Sequence, residues 1–203
     1  MHQYYYEYEH DGKYCFPNSN TLRNKLNIKD NKILVEAERN ITAIRILELK
    51  QKTPRGKLDY KYLCKIHKYI FGDIYTWAGK IRTVDISKGN MFCKSEFIYE
   101  TLNLIFKQLE NDNYLLGINE AEIFTKLAYY LSEINAIHPF REGNGRTQRA
   151  FIEILASRVG YEVDFSEVSQ EEMIHASVEA FNKEYDLMNK LFARITKFMD
   201  NDK

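Results

Sequence analysis

Apolar residues return every three or four positions along most of this chain, the period of helices that bury one face. From Asp30 to about Lys52 the spacing of Ile33, Ala37, Ile41, Ile44 and Leu47 predicts a helix with an inward stripe, capped by Asp30. Thr53-Pro54-Arg55-Gly56 ends it. Asp59 caps the next helix, with Leu58 and Leu63 as a hydrophobic staple and Leu63, Ile66 and Ile70 inward. His67 on that helix reads as a surface or core-edge residue. A third helix opens at Ser95 and turns Phe97, Leu102, Ile105, Phe106 and Leu109 to the core. A fourth starts at Asn119, with Glu122 three residues later, and runs to Ile137 with Ile123, Leu127, Leu131 and Ile134 inward. Another runs from Arg146 with Ala150, Phe151, Ile154 and Leu155 inward, and Gly160 stops it. Ser169 and Glu172 open a last helical region to about Met199, broken near Asn182, where His175 reads as structural.

Residues 74–93 change the period. Ile81-Arg82-Thr83-Val84-Asp85-Ile86 is rich in β-branched residues, Lys88-Gly89-Asn90 has turn chemistry, and Met91-Phe92-Cys93 can pair back. This predicts a small β-hairpin, which on pattern alone suits a core cover and a functional element equally. Residues 1–29 read as an aromatic-rich opening segment. Its tyrosines (Tyr4, Tyr5, Tyr6, Tyr8 and Tyr14) and Phe16 are expected to pack on the body, with a helical turn near Leu22–Leu26.

A chain of 203 residues, 44% hydrophobic, can bury one sizeable core, so residues 1–203 are expected to form a single domain. Twenty-nine basic residues balance twenty-nine acidic ones, which points away from a nucleic-acid or membrane-surface partner. Cys15, Cys64 and Cys93 are odd in number and lack metal-ligand spacing, which fits a reducing cytoplasm. No apolar run resembles a signal peptide or a membrane span.

The chemistry concentrates in His138-Pro139-Phe140-Arg141-Glu142-Gly143-Asn144-Gly145-Arg146-Thr147-Gln148-Arg149. Gly143 and Gly145 tolerate positive φ and expose backbone N–H groups, so Glu142–Gly145 is expected to leave the helix and form an anion nest. The helix resuming at Arg146 points its positive end into that nest. Arg146 and Arg149 lie one turn apart and aim guanidiniums at the same place. His138 can accept a proton near neutral pH. Glu142 is a hard oxygen ligand suited to magnesium already carrying phosphate oxygens. Phe140 anchors the loop. Together these describe a polyphosphate site with a base beside it.

The same twelve residues resemble the Fic (filamentation induced by cAMP) motif, H-x-F-x-[D/E]-G-N-G-R-x-x-R, at every specified position. The Asn144-Gly145-Arg146 form resembles the AMP-transferring branch rather than the kinase-like Doc branch. The resemblance implies a mainly α fold, a Fic-type helical bundle with a small β-hairpin flap. It implies a protein adenylyltransferase that moves AMP from ATP, with Mg2+, to a Tyr, Ser or Thr hydroxyl of a target protein. In it His138 is the base and Glu142 the metal ligand. Asn144 and the backbone of Gly143 and Gly145 hold the α-phosphate, and Arg146 and Arg149 contact the β- and γ-phosphates. Ile86, Ser87, Lys88, Gly89, Asn90, Met91 and Phe92 would be the flap that holds the target segment by strand addition. The alternatives are a nucleotide-binding interaction protein that transfers nothing, and an enzyme using another nucleotide or phosphate-containing donor. Many Fic proteins carry an inhibitory helix, [S/T]-x-x-x-E-[G/N]. The nearest stretch here, Thr196–Asn201, has Asp200 for Glu. A compact toxin held by a small antitoxin in trans, docking near the N-terminal helices, is therefore expected, with homo-oligomerisation left open.

Overall fold

The protein is described by a computed structural model covering residues 12–88 and 90–199. The tyrosines before residue 12, and Gly89, lie outside the described residues. Among the described residues seven α-helices form the scaffold: α1 (Asn31–Gln51), α2 (Tyr60–Phe71), α3 (Ile98–Asn111), α4 (Glu120–Ile137), α5 (Asn144–Ser157), α6 (Gln170–Phe181) and α7 (Asp186–Ile195). Their starts follow the expected caps. Asp30 accepts from the N–H groups of Lys32 and Ile33, Asp59 from Tyr62, and Asn119 from Ala121. Ser169 and Glu172 form a reciprocal capping box. Central α4 packs against α3, α5, α6 and α7, while α5 also rests on α2. Leu63, Ile66, Leu127, Ile134, Phe151, Leu155 and Phe192 are enclosed in the one apolar core these helices share.

Two short antiparallel pairs complete the architecture. β1 (Ser87–Lys88) pairs with β2 (Asn90–Met91), Ser87 opposite Met91. β3 (Tyr161–Val163) pairs with β4 (Thr196–Phe198), Tyr161 opposite Phe198. The second pair corrects the expectation of helix to Met199. The break at Asn182 is real, but α7 stops at Ile195, and the chain then turns extended to cover Tyr161 and Val163. The hairpin is also shorter than its β-branched stretch suggests. Residues 81–86 are irregular: the Val84 carbonyl accepts from Arg82 and the Asp85 carboxylate from the Ser95 N–H.

Two further expectations fail for packing reasons. On α1, Ile33, Ile44 and Leu47 are all more than half exposed, and the buried line is Leu34, Glu38, Thr42 and Leu49. The apolar stripe faces out because the inner line holds a polar group that α5 needs. Phe97 is likewise 49% exposed, since a 3-10 turn at Ser95–Phe97 precedes α3 and rotates it outward. Near the start, Leu22 forms an isolated bridge with Cys15 instead of a helical turn.

Candidate active site

α4 ends at Ile137 and His138 takes a left-handed conformation, φ 50 and ψ 61, as its cap. Pro139 follows and cannot continue the helix. The His138 Nδ1 lies 3.2 Å from the Asn135 carbonyl, which can only accept, so Nδ1 carries the hydrogen and the neutral ring holds its lone pair on Nε2. Phe92 stacks on this imidazole, centroids 3.8 Å apart and planes 13° apart. The hairpin residue expected to hold a target is therefore also in contact with the expected base.

The loop between α4 and α5 is closed by its own polar groups. The Asn144 amide accepts from the Phe140 N–H at 2.8 Å and donates to the Phe140 carbonyl at 2.7 Å. Its side chain therefore shapes the loop, and its N–H stays at the helix start. Gly143 has φ +82, and a Cβ there would lie 2.2 Å from the Phe71 ring, so only glycine fits. Here the expected nest is corrected in detail. α5 begins at Asn144, not Arg146, and Gly145 is helical. Thr147 N–H makes the first intrahelical bond, to Gly143, so the N–H groups of Asn144, Gly145 and Arg146 precede it as helix-terminal donors. A Cβ at Gly145 would sit 3.4 Å from Arg149 Nη1, in contact with that side chain.

The two motif arginines part company. Arg146 turns to α1, where it pairs with Glu38 at 2.5 Å, donates to Thr42 at 3.0 Å and lies 4.7 Å over the Phe71 ring. Glu38, 8% exposed, also accepts the Tyr75 hydroxyl. The Arg146 charge thus has an internal partner in Glu38. Arg149 makes no hydrogen bond or ion pair with the described residues. Burial first, and the neighbouring Arg146 charge second, lower its pKa. A desolvated guanidinium lying over Gly145 beside terminal N–H groups is a receptor for an anion.

Glu142 stands at the rim, its Oε1 accepting the Gly143 N–H at 2.9 Å and lying 3.8 Å from Arg146. The cavity here, about 210 Å³, is lined on one side by Phe92, His138, Glu142, Asn144 and Gly145. Its other wall is apolar α6: Met173, Ile174, Val178 and Phe181. That wall was not foreseen; its only trace is the apolar spacing after Ser169.

His67 corrects its sequence reading most sharply. It is fully buried, accepts the Gly79 N–H on Nδ1 at 2.7 Å, and donates from Nε2 to the Glu142 carbonyl at 3.0 Å. Its ring lies between Phe140 (3.9 Å) and Phe71 (4.7 Å), with Trp77, itself stacked on Tyr75, at 6.0 Å. Burial pushes its pKa down to about 4. His175, by contrast, is exposed beside Glu179.

Fold and site thus define a helical scaffold that sets a histidine, a carboxylate and a buried arginine around the start of one helix, under a short hairpin. Residues 57–156 match the Fic/DOC family. The chain is 39% identical to a probable protein adenylyltransferase of Sinorhizobium fredii, over 83% of this chain and 87% of that protein. It is 33% identical to the probable protein adenylyltransferase Fic of Escherichia coli, over 90% of each. Similarity to protein adenylyltransferase VbhT of Bartonella schoenbuchensis is 42% over 93% of this chain, but the chain covers only 40% of that protein. Among solved structures, the N-terminal Fic domain of a VirB-translocated Bep effector from Bartonella quintana, with ADP bound, matches with TM-score 0.88. That match is at 32% identity over 93% of this chain and 96% of that one. The chain belongs to the Fic/DOC family.

Proposed function

We propose that this chain is a protein adenylyltransferase that moves AMP from ATP to a Tyr, Ser or Thr hydroxyl of a protein substrate. The observation that carries the reading is the Arg149 guanidinium, which makes no hydrogen bond or ion pair with the described residues and lies over Gly145 at the α5 start, where Asn144 and Gly145 line one cavity with His138 and Glu142. ADP in the Bartonella quintana domain and AMPPNP in BepC of Bartonella tribocorum support a nucleotide in this place. The α6 wall gives a base or ribose an apolar surface.

His138 Nε2 takes the proton of the target hydroxyl, whose oxygen attacks the α-phosphorus; the bond to the bridging oxygen breaks and pyrophosphate leaves. The N–H groups at the α5 start hold charge on the phosphate oxygens, and Arg149 holds the far end of the triphosphate. Glu142 fits Mg2+: its carboxylate has acceptor sites beyond the Gly143 N–H. Such an ion, when bound, neutralises charge between the phosphates. The hairpin edge, β1 with β2, offers backbone to an extended target segment.

A second reading concerns control. The exposed stripe Ile33, Ile44 and Leu47 on α1 favours a small protein that docks there in trans, on the outer face of the helix whose inner face carries Glu38. The near-match Thr196–Asn201 suits no inhibitory helix, since Thr196–Phe198 is strand β4; Asp200 and Asn201 lie outside the described residues. Among the described residues no helix is long and apolar enough to cross a membrane, and the three cysteines are free, which supports action in a reducing cytoplasm. The test is transfer from α-labelled ATP to protein in a lysate. Label appearing on a discrete protein is the expected result. Nucleotide binding without any label leaves an interaction protein in its place.

A further inference from the structure

Arg82 is 1% exposed, among the largest fully enclosed side chains of the protein. It sits in the irregular arm before β1, and its guanidinium donates to four backbone carbonyls. Nη1 reaches Val84 at 2.6 Å, Nη2 reaches Cys93 and, at 3.2 Å, Ile137, and Nε reaches His138 at 2.8 Å. Its own N–H donates to the Pro139 carbonyl at 2.9 Å. Two of the four carbonyls belong to the two arms of the hairpin and two to the end of α4. We propose that Arg82 is the positioning residue that fixes the angle of His138 and ties it to the seat of the hairpin, in the transfer reaction proposed above, on which this role rests.

The geometry explains why an arginine is required. A left-handed backbone is strained for a non-glycine residue, so His138 holds φ 50 only if its surroundings insist. The carbonyls of Ile137 and His138 have no helical N–H ahead of them and form the negative end of α4. A planar fork of donors can hold both and still reach the hairpin; a lysine, a compact point charge, cannot. Burying a cation costs heavily without such partners, and four carbonyls with the helix dipole offset it. Cys93 N–H donates to Ala136, and Phe92 N–H to Ile86, so the arm carrying Phe92 is tied to the same turn. The ring that stacks on His138 and the backbone that carries His138 are held from one guanidinium. A base displaced by about 1 Å loses on the order of 10²-fold in rate.

The experiment uses Arg82→Lys and Arg82→Ala in the full chain. It measures AMPPNP affinity by calorimetry, kcat for transfer from α-labelled ATP, and the ¹⁵N shifts of the His138 imidazole. Arg82→Lys should bind AMPPNP within about three-fold of wild type while kcat falls roughly 10- to 10²-fold. The His138 spectrum should change from a single Nδ1–H tautomer to a mixture. Millimolar guanidinium, but not methylammonium, should restore transfer to Arg82→Ala. An unchanged kcat in Arg82→Lys overturns the proposal, as does a fall that merely tracks AMPPNP affinity or folded fraction, or failure of guanidinium to rescue. If wild type itself transfers nothing, the proposed function fails and the imidazole spectrum decides alone: identical spectra in wild type and Arg82→Lys overturn the role of Arg82.

Discussion

The interior of α2 and the end of α4 each hold a histidine, and their surroundings give the two rings opposite uses. His67 has both nitrogens committed to backbone, Gly79 on one side and Glu142 on the other, and two phenyl rings exclude water from it. It is a neutral strut between the loop before the hairpin and the motif loop. His138 has its Nδ1 against the Asn135 carbonyl, and its ring lines the cavity shared with Glu142, Asn144 and Gly145. The residue type is the same. What differs is that one ring is sealed among phenyl rings while the other lines a cavity.

Replacing each histidine separately breaks the comparison in a different observable. His67→Ala should cost about 3 kcal/mol or more of stability, because it opens a cavity among aromatic rings and strands a buried donor and acceptor. Chemical denaturation measures it; a variant as stable as wild type would show the strut to be dispensable. His138→Ala should lower transfer at least ~10²-fold, roughly 2.7 kcal/mol of barrier, with calorimetric nucleotide binding retained. Near-wild-type labelling by that variant would remove His138 as the base.

Acid sharpens the contrast. The pKa of His67 in the folded protein, about 4, lies below its ordinary 6.5, so the unfolded chain binds the proton more readily. The stability this burial confers is complete above pH 6.5 and is lost as pH falls toward 4. The loss is about 2 kcal/mol by pH 5. Unfolding midpoints between pH 7 and 5 should show this slope in wild type and not in His67→Ala. Equal slopes in both would assign the effect to other groups.

The motif loop was legible in the sequence because its chemistry is local: twelve consecutive residues carry the base, the carboxylate, the glycines and both arginines. The helices were legible from their period and caps. What escaped depends on partners far along the chain. Glu38 lies on the less apolar line of α1, and nothing nearby says that Arg146, more than a hundred residues on, will meet it. The brighter apolar stripe, Ile33 to Leu47, misled for that reason. Arg82 sits among β-branched residues that read as strand, and its carbonyl partners come from 84, 93, 137 and 138. His67 follows a helix pattern that fixes its face but not the loop that closes over it. Strand β4 is three residues long, too short for a period to show.

The chain has a single tryptophan, Trp77, and it stands in the wall of aromatic rings around His67. Its ultraviolet emission therefore reports one joint, between α2 and the approach to the hairpin, with no average over sites. A charged imidazole quenches an excited indole by drawing electron density from it, whereas a neutral one does so weakly. Light from this ring consequently reads the charge on a histidine that solvent does not touch, in the unlabelled protein and in real time.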